Sequence, residues 1–436
     1  MAYQPVSALE VRIWDQRVGA VALDPSSGYY AFQYAPAFVR SGLELAPLAM
    51  PLARGGDPFV FVDLPEATYY RLPALLADAL PDRFGNALIT AFMANNGVDA
   101  ASITALDRLA YMGARAMGAM TFRPARGPTR GKSSAVEMAS LVEAARKTVH
   151  GDLAYDQTTQ DALRQIIQLG TSAGGARAKA IVALNPMTHE IRSGQFEIPP
   201  GFEAWLLKLD GVTSFKDLGA SETYGRIEYA YHLMALDAGI AMSPCRLLQE
   251  NGRAHFMTRR FDRGAGDQRH HMQTLCSIAH LDYNLIGVHS YEQLFNVVAT
   301  MKLGPQAMVE TLRRMAFNVA AANCDDHPKN FSFLIREGSQ RWELAPAYDL
   351  TFAWNPTNKW ISRHLMSVNG KFESITRQDV RAVADAYGML AHADDVIDQV
   401  QAAVDRWDQH ADAASVPAAQ RVPVTAELKK RRLAKP

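Results

Sequence analysis

Cysteine is scarce in this chain: three residues in 436, Cys245, Cys276 and Cys324, far apart and with no C-x-x-C pair. That spacing argues against a disulfide framework and against a zinc site. Charge of one sign is not in excess either. Lys plus Arg number 45 and Asp plus Glu 45, so no overall field draws the chain to nucleic acid or an anionic membrane; a stand-alone DNA binder would be basic. The run Lys429-Lys430-Arg431-Arg432 is the exception and reads as a frayed, soluble end. No stretch of about 18 apolar residues occurs, which excludes a spanning helix. Met1-Ala2-Tyr3-Gln4-Pro5 lacks a basic region followed by an apolar core, so no signal peptide is expected and the expected location is cytoplasmic. Internal repeats and long low-complexity tracts are absent. With 48% hydrophobic and 21% charged residues the composition is that of a globular protein. Its length suggests two or three domains at roughly 150 residues each.

Hydrophobic periodicity gives the coarse organisation. Val11 to Tyr34 reads as strands, with turns at Arg17-Val18-Gly19 and at Asp24-Pro25-Ser26-Ser27-Gly28. Phe59-Val60-Phe61-Val62 is a further apolar segment. From Tyr70 to Asn95 apolar residues recur at helical spacing, interrupted at Pro81-Asp82-Arg83-Phe84-Gly85. The stretch Arg123 to Ser134 is rich in Pro, Gly and Ser and is the best linker. Residues 135–168 read as helical, Gly170 to Leu184 as a Gly-rich turn entering a strand, and Glu203 to Leu209 as a second strand. Arg226 to Ala238 is an amphipathic helix closed by Gly239. Arg246–Leu248 and His255–Met257 flank the hairpin turn Asn251-Gly252. Beyond Tyr291 the pattern is mostly helical, apart from strands around Asp325 and Asp349.

The most informative segment is Asp325-Asp326-His327-Pro328-Lys329-Asn330, followed downstream by Ala347-Tyr348-Asp349-Leu350. An Asp and an Asn five positions apart, with a later Asp, is the polar set of protein-kinase-like sites. The first Asp orients the attacking hydroxyl; the Asn and second Asp hold Mg²⁺ on the ATP phosphates. An apolar run, Met315 to Ala322, precedes it, and the strand-like Phe331 to Ile335 follows. A solvated acidic turn is the plain alternative. Other pieces stand where an ATP site needs them. Gly170-Thr171-Ser172-Ala173-Gly174-Gly175-Ala176-Arg177 has the small residues that let backbone N–H groups approach phosphate, although an ordinary Gly turn looks the same. Lys208, inside Trp205-Leu206-Leu207-Lys208-Leu209, is a cation in an apolar strand, which calls for an anionic partner unless it simply faces solvent. Glu228, with Glu222 as competitor, is the candidate carboxylate for such a Lys. Arg259 to Phe261 is a candidate hinge offering backbone groups to adenine.

Six pieces in order resemble the HipA family of serine/threonine kinases, the toxin partners of HipB-type antitoxins. They are Leu80-Pro81-Asp82-Arg83-Phe84-Gly85, the Gly170–Lys179 turn, the Lys208 strand, Arg260-Phe261-Asp262-Arg263, Asp325–Ser332 and Ala345–Leu350. The resemblance implies an α+β, bilobal protein-kinase-like fold with a mixed N-lobe, a mostly helical C-lobe and a small mixed α/β N-terminal subdomain. The expected parts are residues 1–125, an N-lobe over 135–260, a C-lobe over 261–420 and a basic tail over 421–436. It implies Asp325 as the catalytic residue and Asn330 and Asp349 as Mg²⁺ ligands. ATP would be bound by Ser172, Ala173, Gly174, Gly175, Lys208, Arg259, Phe261, His327 and Lys329. Arg259 stands where several relatives have Glu, so its side chain has no implied contact with adenine; its backbone does. Met272-Gln273-Thr274-Leu275-Cys276 differs from the acidic version of some relatives, and no nucleotide contact is implied there. Ser172 matches the loop serine that family members autophosphorylate to silence themselves. The implied activity is phosphorylation of a bacterial protein, in the family an aminoacyl-tRNA synthetase, which stops translation and arrests growth. The implied partner is a HipB-like helix-turn-helix antitoxin through which DNA is mainly contacted. A small-molecule phosphotransferase, or a non-catalytic partner that tethers an antitoxin, are the alternatives.

Overall fold

Alternation of apolar and polar residues builds the first sheet: in β1 (Ala8–Ile13), Leu9, Val11 and Ile13 are buried while the residues between them are not. Residues 3–128, 142, 177–195, 198–213 and 223–433 are described in the computed structural model of the chain. β2 (Gln16–Asp24) and β3 (Tyr29–Tyr34) continue the sheet antiparallel, and β4 (Met120–Arg123) closes its other edge in the order β3-β2-β1-β4. The β1–β2 turn lies at Trp14-Asp15, both at positive φ, and not at the expected Arg17-Val18-Gly19, which lies within β2. Gly19 is there for a different reason. A Cβ on it would come 2.1 Å from the Gln33 carbonyl oxygen, so it permits a close strand approach and makes no turn. The second turn is where the sequence puts it: the Asp24 carboxylate accepts from the Ser26 amide and from the Ser26 and Ser27 hydroxyls. Phe59–Val62 forms no strand; Phe59 makes only an isolated bridge to Phe32.

Helix α1 (Arg83–Asn95) begins at the expected break, where Asp82 Oδ1 accepts from the Gly85 amide at 2.8 Å. Helix α2 (Ala105–Met112) starts with a reciprocal cap between Thr104 and Asp107. Strands β5 (Arg177–Leu184), β6 (Ile191–Ser193) and β7 (Glu203–Thr213) follow, antiparallel in the order β6-β5-β7. Helix α3 (Tyr224–Asp237) ends at Gly239, whose φ of +78° closes it as expected. β8 (Cys245–Glu250) and β9 (Arg253–Arg259) form the expected hairpin, with Asn251 and Gly252 both at positive φ. Then come β10 (His271–Thr274), β11 (His289–Ser290), α4 (Tyr291–Thr300), α5 (Pro305–Ala320), β12 (Ser332–Ile335), β13 (Trp342–Leu344) and β14 (Met366–Ser367). The chain finishes with α6 (Arg377–Ala386), α7 (Leu390–Asp405), α8 (Trp407–Ala413) and α9 (Ala418–Lys430).

The chain separates into two compact units. One comprises Met1–Leu218, Met257–His280 and Leu334–Arg341; the other comprises Gly219–Phe256, Leu281–Phe333 and Trp342–Pro436. Each unit takes up the chain again through pairings remote in sequence. Residues 135–168, read as helical, lie outside the described residues apart from Val142. The basic end is not frayed. α9 runs to Lys430, Leu433 is 1% exposed, and its amide donates to Gln401 Oε1 at 2.8 Å. No helix among the described residues is long and apolar enough to cross a membrane.

Within the first unit, His271 is fully buried and burial lowers its pKa from 6.5 to about 4. The unfolded chain takes up a proton below the ordinary value that the folded chain refuses. Stability is therefore intact above pH 6.5 and is lost as pH falls toward 4, by up to about 3 kcal/mol at about 1.4 kcal/mol per pH unit. His271→Gln is expected to flatten the fall in melting temperature between pH 7 and pH 4.5. Equal slopes for the variant and the wild type would clear His271 of the effect.

Candidate active site

Helix α5 supplies the rigid base of the site in the second unit. Its C-terminal half, from Met315 to Ala320, is buried, and the chain leaves it into the loop that begins at Asn323. That loop is pinned by backbone bonds to the segment after Asp349: the Cys324 amide donates to the Ala353 carbonyl at 3.0 Å, and the Ala353 amide to the Ala322 carbonyl at 3.2 Å. Cys324 itself is buried. Pro328–Asn330 makes a single turn, after which all four residues of β12 are buried.

The two adjacent aspartates have opposite fates. Asp326 is 0% exposed and accepts three hydrogen bonds, from the Tyr291 hydroxyl at 2.8 Å, from His364 Nδ1 at 2.9 Å and from the Leu365 amide at 2.8 Å. Asp325 has 47% of its side chain exposed, and its backbone carbonyl accepts from Asn330 Nδ2 at 2.7 Å. Burying one carboxylate among three donors fixes the peptide from which the other projects. His327 Nε2 lies 3.8 Å from Asp325 Oδ1, and the Tyr283 ring packs against the His327 ring at 5.6 Å. Lys329 Nζ sits 4.5 Å from the centre of the same Tyr283 ring, and its carbonyl accepts from the Tyr348 hydroxyl at 2.7 Å. Tyr348 also bonds the Ser332 hydroxyl. The next residue, Asp349, has φ +55°, a conformation in which Asp is one of the few tolerated residues. The structure therefore brings Asp325, His327, Lys329, Asn330 and Asp349 into one unit around one loop.

Asp326, Tyr291 and His364 were not assigned roles from sequence, and only the second Asp of the Asp-Asp pair hinted at them. Tyr291 accepts in turn from Asn318 Nδ2 at 2.8 Å, and Asn318 Oδ1 accepts from Asn323 Nδ2 at 2.9 Å. Burial, and then the Asp326 charge, pushes the Tyr291 hydroxyl well above its ordinary pKa, so it stays a neutral donor. For His364 burial acts downward, but the Asp326 carboxylate outweighs it and raises the ring to about 10. The geometry of Arg431 argues against a protonated ring all the same. Its Nη1 lies 3.2 Å from His364 Nε2, and because a guanidinium only donates, this approach calls for a lone pair on that nitrogen. The neutral ring with its proton on Nδ1 satisfies both neighbours.

The first unit holds the remaining candidates. Lys208 is 9% exposed, so the solvent-facing alternative fails, and it stands directly opposite Lys179, which is 4% exposed. Like charges so placed repel; Asp82, the cap of α1, lies 3.7 Å from Lys179 Nζ. Lys179 and Asp82 lie in segments that carry the family resemblance, but sequence alone assigns them no role. The half-exposed Arg259 pairs with Glu203 at 3.2 Å, and the next amide, of Arg260, donates to the Ala204 carbonyl, so that group is already used by the sheet. Phe261 follows, half-buried. Glu228 is 2% exposed on α3 of the second unit. Ser172, Ala173, Gly174 and Gly175, like Glu222, lie outside the described residues.

The donor set suits a magnesium ion. Asn330 donates through its amide nitrogen to the Asp325 carbonyl, and its Oδ1, with a carboxylate oxygen of Asp349, would be the kind of hard ligand Mg²⁺ prefers. Among the described residues no group of three or more His, Cys, Asp or Glu side chains could hold a metal. An ion here would take its other ligands from phosphate and water.

A buried apolar helix, the loop it delivers, a returning strand and a later aspartate on a tight turn make this a mixed α/β protein of kinase-like fold. Comparison with known proteins narrows the class. The HipA N-terminal domain matches residues 9–123 and the HipA-like C-terminal domain matches residues 171–407. The chain belongs to the HipA family. Among solved structures it is similar to HipA of Shewanella oneidensis MR-1, determined with HipB and operator DNA, at a TM-score of 0.64 and 16% identity, covering 98% of this chain and 96% of that one. It also matches the Helicobacter pylori proinflammatory kinase CtkA at a TM-score of 0.36 and 11% identity, over 60% of this chain and 90% of that one. No curated protein matches significantly.

Proposed function

We propose that the chain is a HipA-type toxin kinase that moves the γ-phosphoryl group of ATP, with Mg²⁺, to a serine or threonine of a bacterial protein. The observation that carries the reading is the split between the paired aspartates: Asp326 locked by three donors, Asp325 projecting beside Asn330. Asp325 orients the acceptor hydroxyl and takes its proton. Asn330 and Asp349 hold Mg²⁺, which neutralises charge on the phosphates. By the family resemblance Lys208 contacts an ATP phosphate, and His327 and Lys329 lie beside the transferring group. Catalysis is positioning and charge stabilisation, with little covalent chemistry for the protein to perform.

By family membership the acceptor is an aminoacyl-tRNA synthetase, whose phosphorylation stops translation and arrests growth, and the enzyme acts in the cytoplasm. The balanced charge of the chain supports a division of labour in which a HipB-like antitoxin carries the DNA contacts. Ser172, with Ala173, Gly174 and Gly175, would form the phosphate loop, and modification of Ser172 would add about −1.5 to −2 charge where ATP phosphates must sit. Purified protein incubated with labelled ATP, Mg²⁺ and cell lysate is expected to label a protein, and its own intact mass to rise by one phosphate at Ser172. Label confined to small molecules would replace this reading with a small-molecule phosphotransferase. No transfer at all would leave a non-catalytic antitoxin partner.

A further inference from the structure

We propose that the C-terminal end of the chain is a positioning device for the catalytic loop, acting through Arg431 on His364 and through His364 on Asp326. The inference rests on the kinase reading for its kinetic consequence but on geometry for its substance.

Arg431 follows directly on α9 and is held from several sides. Its Nε donates to Glu427 Oε1, one helical turn earlier, at 2.8 Å, and its guanidinium lies 5.9 Å from the centre of the Trp354 ring. Lys430 shares both neighbours, 3.1 Å from Glu427 Oε2 and 5.4 Å from the same ring. Beyond it, Arg432 pairs with Asp405, and Leu433 is buried with its amide on Gln401 and its carbonyl accepting from Arg377. A terminus held at so many points can fix the direction of one side chain. That side chain meets His364 Nε2 at 3.2 Å, while Nδ1 of the same ring meets Asp326 Oδ2 at 2.9 Å. His364 is 1% exposed, so water does not substitute for either partner.

The consequence follows from the donor inventory. Arginine cannot accept, so its presence selects the tautomer with the proton on Nδ1, the one that donates to Asp326. Remove Arg431 and only burial opposes protonation of the ring, against the pull of Asp326; an imidazolium then has Nδ1–H satisfied by Asp326 and Nε2–H without the neighbour it has now. The ring reorients, Asp326 loses one of its three aligned donors, and the peptide of Asp325 is no longer held in one geometry. Arg431 touches no reacting atom and is a positioning residue.

Two measurements on the full chain test this. ¹⁵N NMR of labelled histidine is expected to show His364 as the neutral Nδ1–H tautomer at pH 7 in the wild type and to change its protonation pattern in Arg431→Ala. An unchanged signal overturns the proposal whatever the activity. In steady-state phosphorylation, Arg431→Ala is expected to lower kcat about tenfold, as misplacement of a catalytic group does, with KM for ATP within about twofold and with partial rescue by Arg431→Lys. His364→Asn should lower kcat similarly, and the double variant no further, because the two act in series. Additive losses, or a kcat loss tracked wholly by the melting temperature, also overturn it. A wild type that transfers no phosphate, yet shows the NMR response, would sink the kinase reading and leave this linkage standing.

Discussion

Replacing Asp325 with Asn is expected to lower phosphoryl transfer about 10²- to 10⁴-fold, the range for a positioned acid–base group, while Mg·ATP still binds. The substitution is a clean one in this setting. Asn matches Asp in shape, the side chain is half exposed, and the bond from Asn330 Nδ2 goes to the backbone carbonyl of residue 325, which the substitution leaves in place. The neighbouring network through Asp326 is untouched, so the loop keeps its form and only the charge that would accept the hydroxyl proton goes. Asp349→Ala should behave differently. If Asp349 holds the metal, that variant loses turnover and also loses Mg²⁺-dependent nucleotide affinity in a calorimetric titration. Near-wild-type transfer by Asp325→Asn would take the catalytic role away from Asp325, and an unchanged titration for Asp349→Ala would do the same for the metal role.

Asp262→Ala should cost the first unit about 3–5 kcal/mol, the usual penalty for breaking a buried ion pair from one side. Asp262 is 0% exposed and receives four donors: Arg260 Nε at 2.9 Å, Arg260 Nη2 at 2.6 Å, Arg263 Nη1 at 2.6 Å and the Gly118 amide at 2.7 Å. Burial opposes charge on this carboxyl, but the Arg260 and Arg263 guanidiniums outweigh it and hold the group far below the usual carboxylate range. Arg263 and Arg269 both reach round to the Gly118 carbonyl, so the cluster bolts residues 260–269 to the turn before β4. Burial pushes the Arg269 pKa down, to about 10, with Arg260 adding to the effect. Burial thus already lowers the pKa of two guanidiniums in this cluster, those of Arg263 and Arg269. Removing the Asp262 carboxylate leaves Arg260 and Arg263 buried together without the group that binds both, while Glu337 stays near Arg269. At roughly 2–4 °C per kcal/mol for a unit of this size, the melting transition should fall by about 6–20 °C; a shift under about 2 °C would show that the cluster does not hold the unit together.

That cluster shows how a motif can be legible while its meaning is not. Arg260-Phe261-Asp262-Arg263 stands out in the sequence and falls at a candidate hinge, yet the structure gives its charged residues a fastening role: Asp262 binds Gly118, 144 positions away. Asp325 and Asp326 make the same point at closer range. Adjacent and chemically identical, they cannot be told apart from spacing; only the arrival of Tyr291, His364 and Leu365 buries one and leaves the other to project. Lys429 to Arg432 read as a loose basic end, but Glu427, Trp354 and His364 surround Arg431.

What the sequence settled by itself was local. The Asp24–Gly28 turn, the break at Pro81–Gly85, the Asn251-Gly252 hairpin and the Gly239 helix stop are each decided by a side chain or a φ angle within a few residues of where it acts. The order and spacing of Asp325, Asn330 and Asp349 likewise carried the kinase-like reading, because one turn and two short strands separate them. Tertiary structure decided which carboxylate is buried, which glycine is a turn and which a close approach, where the units divide, and that the basic end is anchored. Each of those depends on partners tens to hundreds of positions away, brought near only when apolar faces pack. A buried charge takes its role from whatever donors that packing delivers, and no local pattern records them.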